Sequence, residues 1–333
     1  MRKLFFLILV SVVFVSCQKE LDFYNSLPGS PTVSSDVYIT GYDGNSAVVW
    51  KNGISSALTN GAYPAYAYSI FVSGTDVFAA GTEFNGSGWA AKFWKNGVET
   101  SLTNGNFTNI APSVFVSDPN VYIAGTITGG TFGTTAILWK NGVATTLAND
   151  GSANSVYVSG TDVYVAGTVF DGIKNTAAVW KNGVVTNLTP SYSYASSVFV
   201  SGNDVYVAGS DTTAAVRTGI VWKNGVATYL TSGNTIAEAW SVFVSGTDVY
   251  VAGREYNGSH YVATLWKNAV ATALTDGTHH ASAESVFVAG GNVYVAGYEN
   301  NGIRGIAKLW KNGVATSLTN GTKDAVASSV FVK

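Results

Sequence analysis

The 333-residue chain carries 18 basic and 20 acidic residues, a net charge of −2, and only 11% charged residues against 47% hydrophobic ones. Globular chains usually carry roughly a quarter charged residues, so serine, threonine, asparagine and backbone must wet this surface, and its wealth of large apolar side chains excludes intrinsic disorder. The charge balance leaves no basic field for nucleic acid, and a single cysteine excludes a disulfide framework or a thiolate-rich zinc site.

In chain order, Met1-Arg2-Lys3 precedes an apolar run from Leu4 to Val15. That run is too short to cross ~30 Å of hydrocarbon, so it reads as the core of an export signal and not as an anchor. It ends at Phe14-Val15-Ser16-Cys17, with a small residue before the only cysteine. Residues 1–17 resemble a bacterial lipoprotein signal, which implies that Cys17 is lipidated and becomes the mature N-terminus. Phe14 stands where that signal usually has leucine, and an ordinary secretory signal with an incidental cysteine is the competing reading. Gln18-Lys19-Glu20-Leu21-Asp22 is similar to the charged tags that route some such lipoproteins to the outer cell surface. Residues 18–33 have the composition of a flexible tether. The expected address is the cell envelope, at the outer membrane and exposed on its surface, with membrane contact through the N-terminal lipid only.

From about residue 34 to 333 one unit recurs seven times. Trp-Lys-Asn appears at Trp50, Trp94, Trp139, Trp180, Trp222, Trp266 and Trp310, at spacings of 44, 45, 41, 42, 44 and 44 residues. A period near 40–45 with four strand-like runs per copy predicts propeller blades. In the sixth copy the runs are Ser241–Val244 (strand A), Asp248–Ala252 (B), Val262–Trp266 (C) and Val270–Leu274 (D). Each is rich in β-branched and aromatic residues and bounded by Gly, Asn or Asp. Asn-Gly between C and D is a hairpin signal, because both residues tolerate positive φ. The sixth copy has Asn268-Ala269 instead, which predicts a strained turn costing on the order of 1 kcal/mol. The first copy starts at strand B with Asp36-Val37-Tyr38, and the chain ends in a spare strand A, Ser329-Val330-Phe331-Val332. The expectation is therefore an all-β, seven-bladed β-propeller of four antiparallel strands per blade, closed by the C-terminal strand pairing with the N-terminal blade. The chain resembles β-propeller repeat proteins in general but carries none of their better-known signatures, so no family function follows.

The A–B and C–D turns are short and nearly constant, whereas the B–C and D–A connections vary, which places recognition on the second face. Before each strand A every copy has Ala-x-Ser, with x being Tyr68, Pro112, Asn154, Ser196, Trp240, Glu284 or Ser328. These positions should ring the mouth of the central channel. With period-two alternation, x and the residue before the Ala share a face, which nominates Tyr66, Tyr68, Asn154, Tyr194, Glu238, Trp240 and Glu284 as ligand-binding residues. Aromatic faces with a few polar groups in a concave mouth suit a glycan or protein ligand; packing of the same aromatics against neighbouring loops is the plainer reading. Glu238 and Glu284, on successive blades, offer a second function, a polysaccharide-degrading enzyme with an acid/base pair. A structural or adhesive protein without a small ligand is the third. The three histidines, His260, His279 and His280, should share the variable face, but adjacent histidines seldom bind one ion with good geometry, and no metal or cofactor is assigned. Seven lysines at the C–D turns form a circle on the opposite face, read as solubilising hairpin charges or, alternatively, as a surface for an anionic partner. A monomer is expected.

Overall fold

A computed structural model describes residues 35–333 except 131, 132, 190 and 213–215. The signal, the tether and Cys17 lie outside the described residues. The chain divides into Met1–Ser35 and Asp36–Lys333, and the second unit holds seven four-stranded antiparallel sheets, each ordered A-B-C-D. In blade 1 these strands are Ala325–Val332, Val37–Asp43, Ser46–Lys51 and Ile54–Ala57; in blade 6 they are Ala237–Ser245, Asp248–Tyr256, Tyr261–Lys267 and Val270–Ala273. Blade 1 is thus assembled from both ends of the unit, as the phase of the repeat predicts. Strand A of blade 1 pairs with strand B from Val37–Val332 to Asp43–Ala325. The backbones of Asp36 and Lys333 also exchange two hydrogen bonds of 2.8 and 2.9 Å.

Packing between blades comes from the repeated tryptophan at the end of strand C. All seven are at most 2% exposed. Each lies against the preceding blade: Trp266 clusters with Tyr206, Ala208 and Val221, and Trp310 with Tyr250, Ala252 and Ala263. A β-sheet blade buried on both faces needs apolar side chains on both, which explains the nearly continuous apolar runs of strand B. Strand D is the opposite case: its four residues are exposed in blades 1, 2, 4, 5, 6 and 7.

The constant face is laced by its turns. The turn asparagines sit at φ 51–52°, and the glycines after them near 80°, the positive-φ pair of a tight hairpin. Ala269 takes φ 64° where the other six blades have glycine, so the strained turn read from the sequence is present. Each turn asparagine accepts from the N–H of the first valine of strand B, as Asn52 does from Val37 at 2.8 Å, and donates back to the side chain before that valine, as Asn52 Nδ2 does to Asp36 at 2.7 Å. Lysines 51, 95, 181, 223 and 267 each pair with the A–B turn aspartate of their own blade at 2.7–2.8 Å. The lysine amine holds Asp36, Asp76, Asp162, Asp204 and Asp248 below the usual carboxylate range. Most of the lysine circle is therefore locally neutralised.

Removing residues 329–333 deletes two buried valines of strand A, Val330 and Val332, and their whole ladder. The expected loss is several kcal/mol, or a fall of roughly 10 °C or more in Tm. A calorimetric scan on the truncated chain measures it, and an unchanged Tm contradicts the closure.

Candidate functional site at the channel mouth

Strand A begins four residues earlier than its apolar run implies, because it continues back through Ala-x-Ser across a β-bulge. In blade 2, Ala67 pairs with Gly81 and Ser69 with Ala80, so that Tyr68 is the extra residue. The same shift occurs in all seven blades. Pro112 is tolerated there because a bulged residue owes no N–H to the ladder.

Three repeated features depend on this bulge. The first is the glycine of strand B opposite it: a Cβ on Gly41, Gly81, Gly167, Gly209, Gly253 or Gly297 would stand 1.9–2.1 Å from the carbonyl oxygen of the residue before the Ala. Only glycine admits that approach. The second is the serine that follows x. Its hydroxyl oxygen accepts from the backbone N–H of the next blade's strand A, from Val114 to Ser69 at 3.1 Å and onward through every blade, to Ile70 donating to Ser329 at 3.3 Å. These seven bonds form a closed circle. The third lies three residues beyond x, where Phe71, Phe115, Tyr157, Phe199, Phe243, Phe287 and Phe331 make a continuous aromatic ring with centroids 4.7–5.1 Å apart.

The seven bulged residues line one cavity of about 620 Å³. Tyr68, Asn154, Trp240 and Glu284 meet there with Pro112, Ser196 and Ser328, and Tyr194 reaches the same space from the position before the Ala. Tyr66 and Glu238, nominated from the same period-two argument, do not line it. The bulge is common to all seven blades, so side-chain partners decide which residue before the Ala reaches the cavity: Tyr66 is held on Trp89 and Glu238 by two arginines. Tyr66 stacks on Trp89 and meets Tyr42 edge-on, with centroids 5.4 and 4.8 Å away.

Glu238 is 2% exposed. Arg217 bonds to one carboxylate oxygen, and Arg254 donates to the other through Nε at 2.6 Å and Nη2 at 2.5 Å. Both guanidinium groups lie over aromatic rings, Arg217 over Tyr194 at 5.9 Å and Arg254 over Trp240 at 5.6 Å and Tyr261 at 4.1 Å. This cluster backs one side of the mouth, where Arg217, Tyr194 and Trp240 line the cavity. Sequence reasoning also missed Tyr42, Ser210 and Tyr298, which enter from strand B one residue after the bulge-facing glycine. Their fixed offset from the strand B glycine was the available signal.

Burial pushes the Glu284 carboxyl above its ordinary value, and the Glu238 charge adds to the effect. Glu284 makes no ion pair within 4 Å among the described residues. Burial also drives Tyr68 up to about 12, and raises Tyr194, Tyr42 and Tyr298, the last with help from the Glu284 charge. These phenols remain protonated donors at neutral pH. Asn154 Nδ2 donates to the Ala195 carbonyl at 2.8 Å, which fixes its orientation. The histidines stand apart from this arrangement: His260 and His280 rings lie 4.9 Å apart, His280 Nδ1 accepts from the Tyr261 N–H at 3.0 Å, and His279 contacts Thr278. No group of three metal-ligating side chains occurs among the described residues.

No protein-family model matches the chain, and comparison with curated proteins gives no match. Among solved structures the chain is similar to an acylaminoacyl peptidase of Pyrococcus horikoshii, with a TM-score of 0.54, 13% identity and coverage of 86% of this chain and 50% of that one. It is similar to TolB of Acinetobacter baumannii at a TM-score of 0.53 and 11% identity, over 88% and 82% of the two chains. It also resembles a puromycin-hydrolyzing peptidase of Mycobacterium tuberculosis at 0.57 and 10%, over 86% and 53%. The chain spans about half the length of each of these two peptidases. At such identities the likeness is one of fold, a seven-bladed β-propeller.

At Gly297, opposite the blade 7 bulge, a Cβ would sit 2.1 Å from the Ser282 carbonyl oxygen. Gly297→Ala is expected to cost about 3 kcal/mol or more. Gly313→Ala, at a turn with φ 81° and nothing within 4 Å, should cost about 1 kcal/mol. Denaturant unfolding of the two variants compares them directly; equal losses would remove the bulge from the account.

Proposed function

We propose that this chain is a lipid-anchored propeller of the cell envelope that binds a glycan, without catalysis, through the cavity at its variable face. The convergence of one bulged residue from each of seven blades on a single cavity carries the reading. Its lining joins the flat faces of Tyr68, Tyr194, Trp240, Tyr42 and Tyr298 to hydroxyl, amide and carboxyl groups. Sugar rings offer apolar C–H faces to aromatic side chains and hydroxyls to such polar groups. A protein segment is the second class of ligand that this lining accommodates.

The enzyme alternative fares worse on geometry. A general acid/base pair needs both carboxyls at the reacting bond, whereas the Glu238 oxygens are both held by arginine and the side chain lies behind the lining. Glu284 alone reaches the cavity, where it serves to bond a ligand hydroxyl.

Titration calorimetry with envelope oligosaccharides tests the site. Trp240→Ala and Tyr68→Ala are each expected to weaken binding at least ~10-fold, the loss of one stacked ring. A ligand that binds both variants as tightly as the parent, or binding of peptides alone, overturns the glycan assignment. The address is tested separately by metabolic labelling with a radioactive fatty acid: the parent should incorporate label into the envelope fraction, and Cys17→Ser should not. Labelling that persists in Cys17→Ser removes the anchor from the proposal.

A further inference from the structure

Comparison of the blades exposes a second site. In blade 2, Glu83 of strand B faces Lys92 of strand C, Nζ to Oε2 3.2 Å. Lys92 also bonds Glu99 and, at 3.0 Å, the Ser101 hydroxyl on strand D. Blade 7 repeats the pair, with Glu299 and Lys308 3.1 Å apart. The register identifies the equivalents in blade 6. Gly81 pairs with Lys92, Gly297 with Lys308, and Gly253 with Thr264. The glutamate is kept as Glu255, two residues after that glycine, but its lysine has become Thr264. Opposite, Glu99 and Ser101 have become Ala271 and Ala273.

These truncations leave a cavity. A pocket of about 850 Å³ opens along blade 6, lined by Glu255, Thr264, Val262, Ala271, Ala273 and Tyr256, with Asn234 and Asn257 among its polar lining residues. The Glu255 carboxylate makes no ion pair or hydrogen bond among the described residues, and burial holds its pKa above the ordinary value. Blades 2 and 7 show what this slot accepts: an alkyl stem along the sheet with an ammonium on the glutamate, both partners largely shielded from water. A partly desolvated carboxylate that has lost its cation is a costly arrangement unless a cation is supplied.

We propose that the blade 6 pocket binds the lysine side chain of a partner protein, its ammonium on Glu255 and its stem against Val262, Ala271 and Ala273. The site is separate in its residues from the central cavity and does not depend on the glycan reading. Methyl-detected NMR on the full propeller, titrated with N-acetyl-lysinamide, tests it. Saturable shifts of the Thr264, Ala271 and Ala273 methyls are expected, with none from N-acetyl-norleucinamide. Glu255→Gln should weaken binding at least ~10-fold, the value of one shielded ion pair. Thr264→Lys, patterned on blades 2 and 7, should fold, place its own ammonium on Glu255 and abolish binding. Absence of shifts in the parent, or equal binding by either variant, overturns the proposal. Glu255-dependent binding of methyl glucosaminide in place of the lysine probe overturns the assignment to a protein partner.

Discussion

The circle of seven hydrogen bonds from strand A N–H groups to serine hydroxyls of the preceding blade is the constraint on which the channel depends. Strand A is the innermost strand of each sheet, so its inner edge has no further strand to satisfy its backbone. A buried N–H without a partner costs as much as a lost hydrogen bond. The serine meets that need from the neighbouring blade, at 3.0–3.3 Å around the whole ring. Closing the circle requires Ser329 and Val330 as both acceptor and donor, so the same five C-terminal residues complete a sheet and an inner girdle at once.

The bulge explains why constancy and variation alternate so closely along Ala-x-Ser. The alanine is buried against the core, the serine binds the next blade, and between them a residue is expelled from the ladder into the channel. Its side chain is excluded from the strand pairing, so the position accepts residues as different as Ser196 and Trp240. The opposing glycine is the necessary counterpart, because the displaced carbonyl occupies the place of its Cβ. A mouth built in this way is one in which each blade presents a single replaceable side chain on a rigid element.

Much of this was legible in the sequence, and the limits have physical causes. The blade count, the shared blade 1, the inward set at x and the strain at Ala269 all follow from local pattern and phase, which a repeat states seven times. The bulge was not visible, since two residues opposing one is a property of pairing and not of either strand alone; that Tyr66 and Glu238 lie off the cavity lining follows from Trp89 and two arginines, partners that no local pattern reveals. Tyr42, Tyr298 and Arg217 were missed because they arrive from other strands and loops. The pairing of Glu238 with Arg217 and Arg254, 21 residues before and 16 after it, needs the fold to bring them together.

That arginine cluster also decides how two similar glutamates differ. Glu238 is buried with two guanidinium groups and bonded at both oxygens, which compensates its loss of water. The planar cations then lie on Tyr194, Trp240 and Tyr261, so charge and ring hold each other in place. The result is a stiff wall with no free carboxylate. Glu284, at the bulged position of the next blade, receives no such partner and keeps its carboxyl turned to the cavity. In blade 6 itself Glu255 likewise has no cation among the described residues, on the side of strand B away from Arg254. Strand alternation separates these roles: one residue of the Arg254-Glu255 pair stiffens the channel wall, and the next faces an outer pocket whose own lysine has been lost.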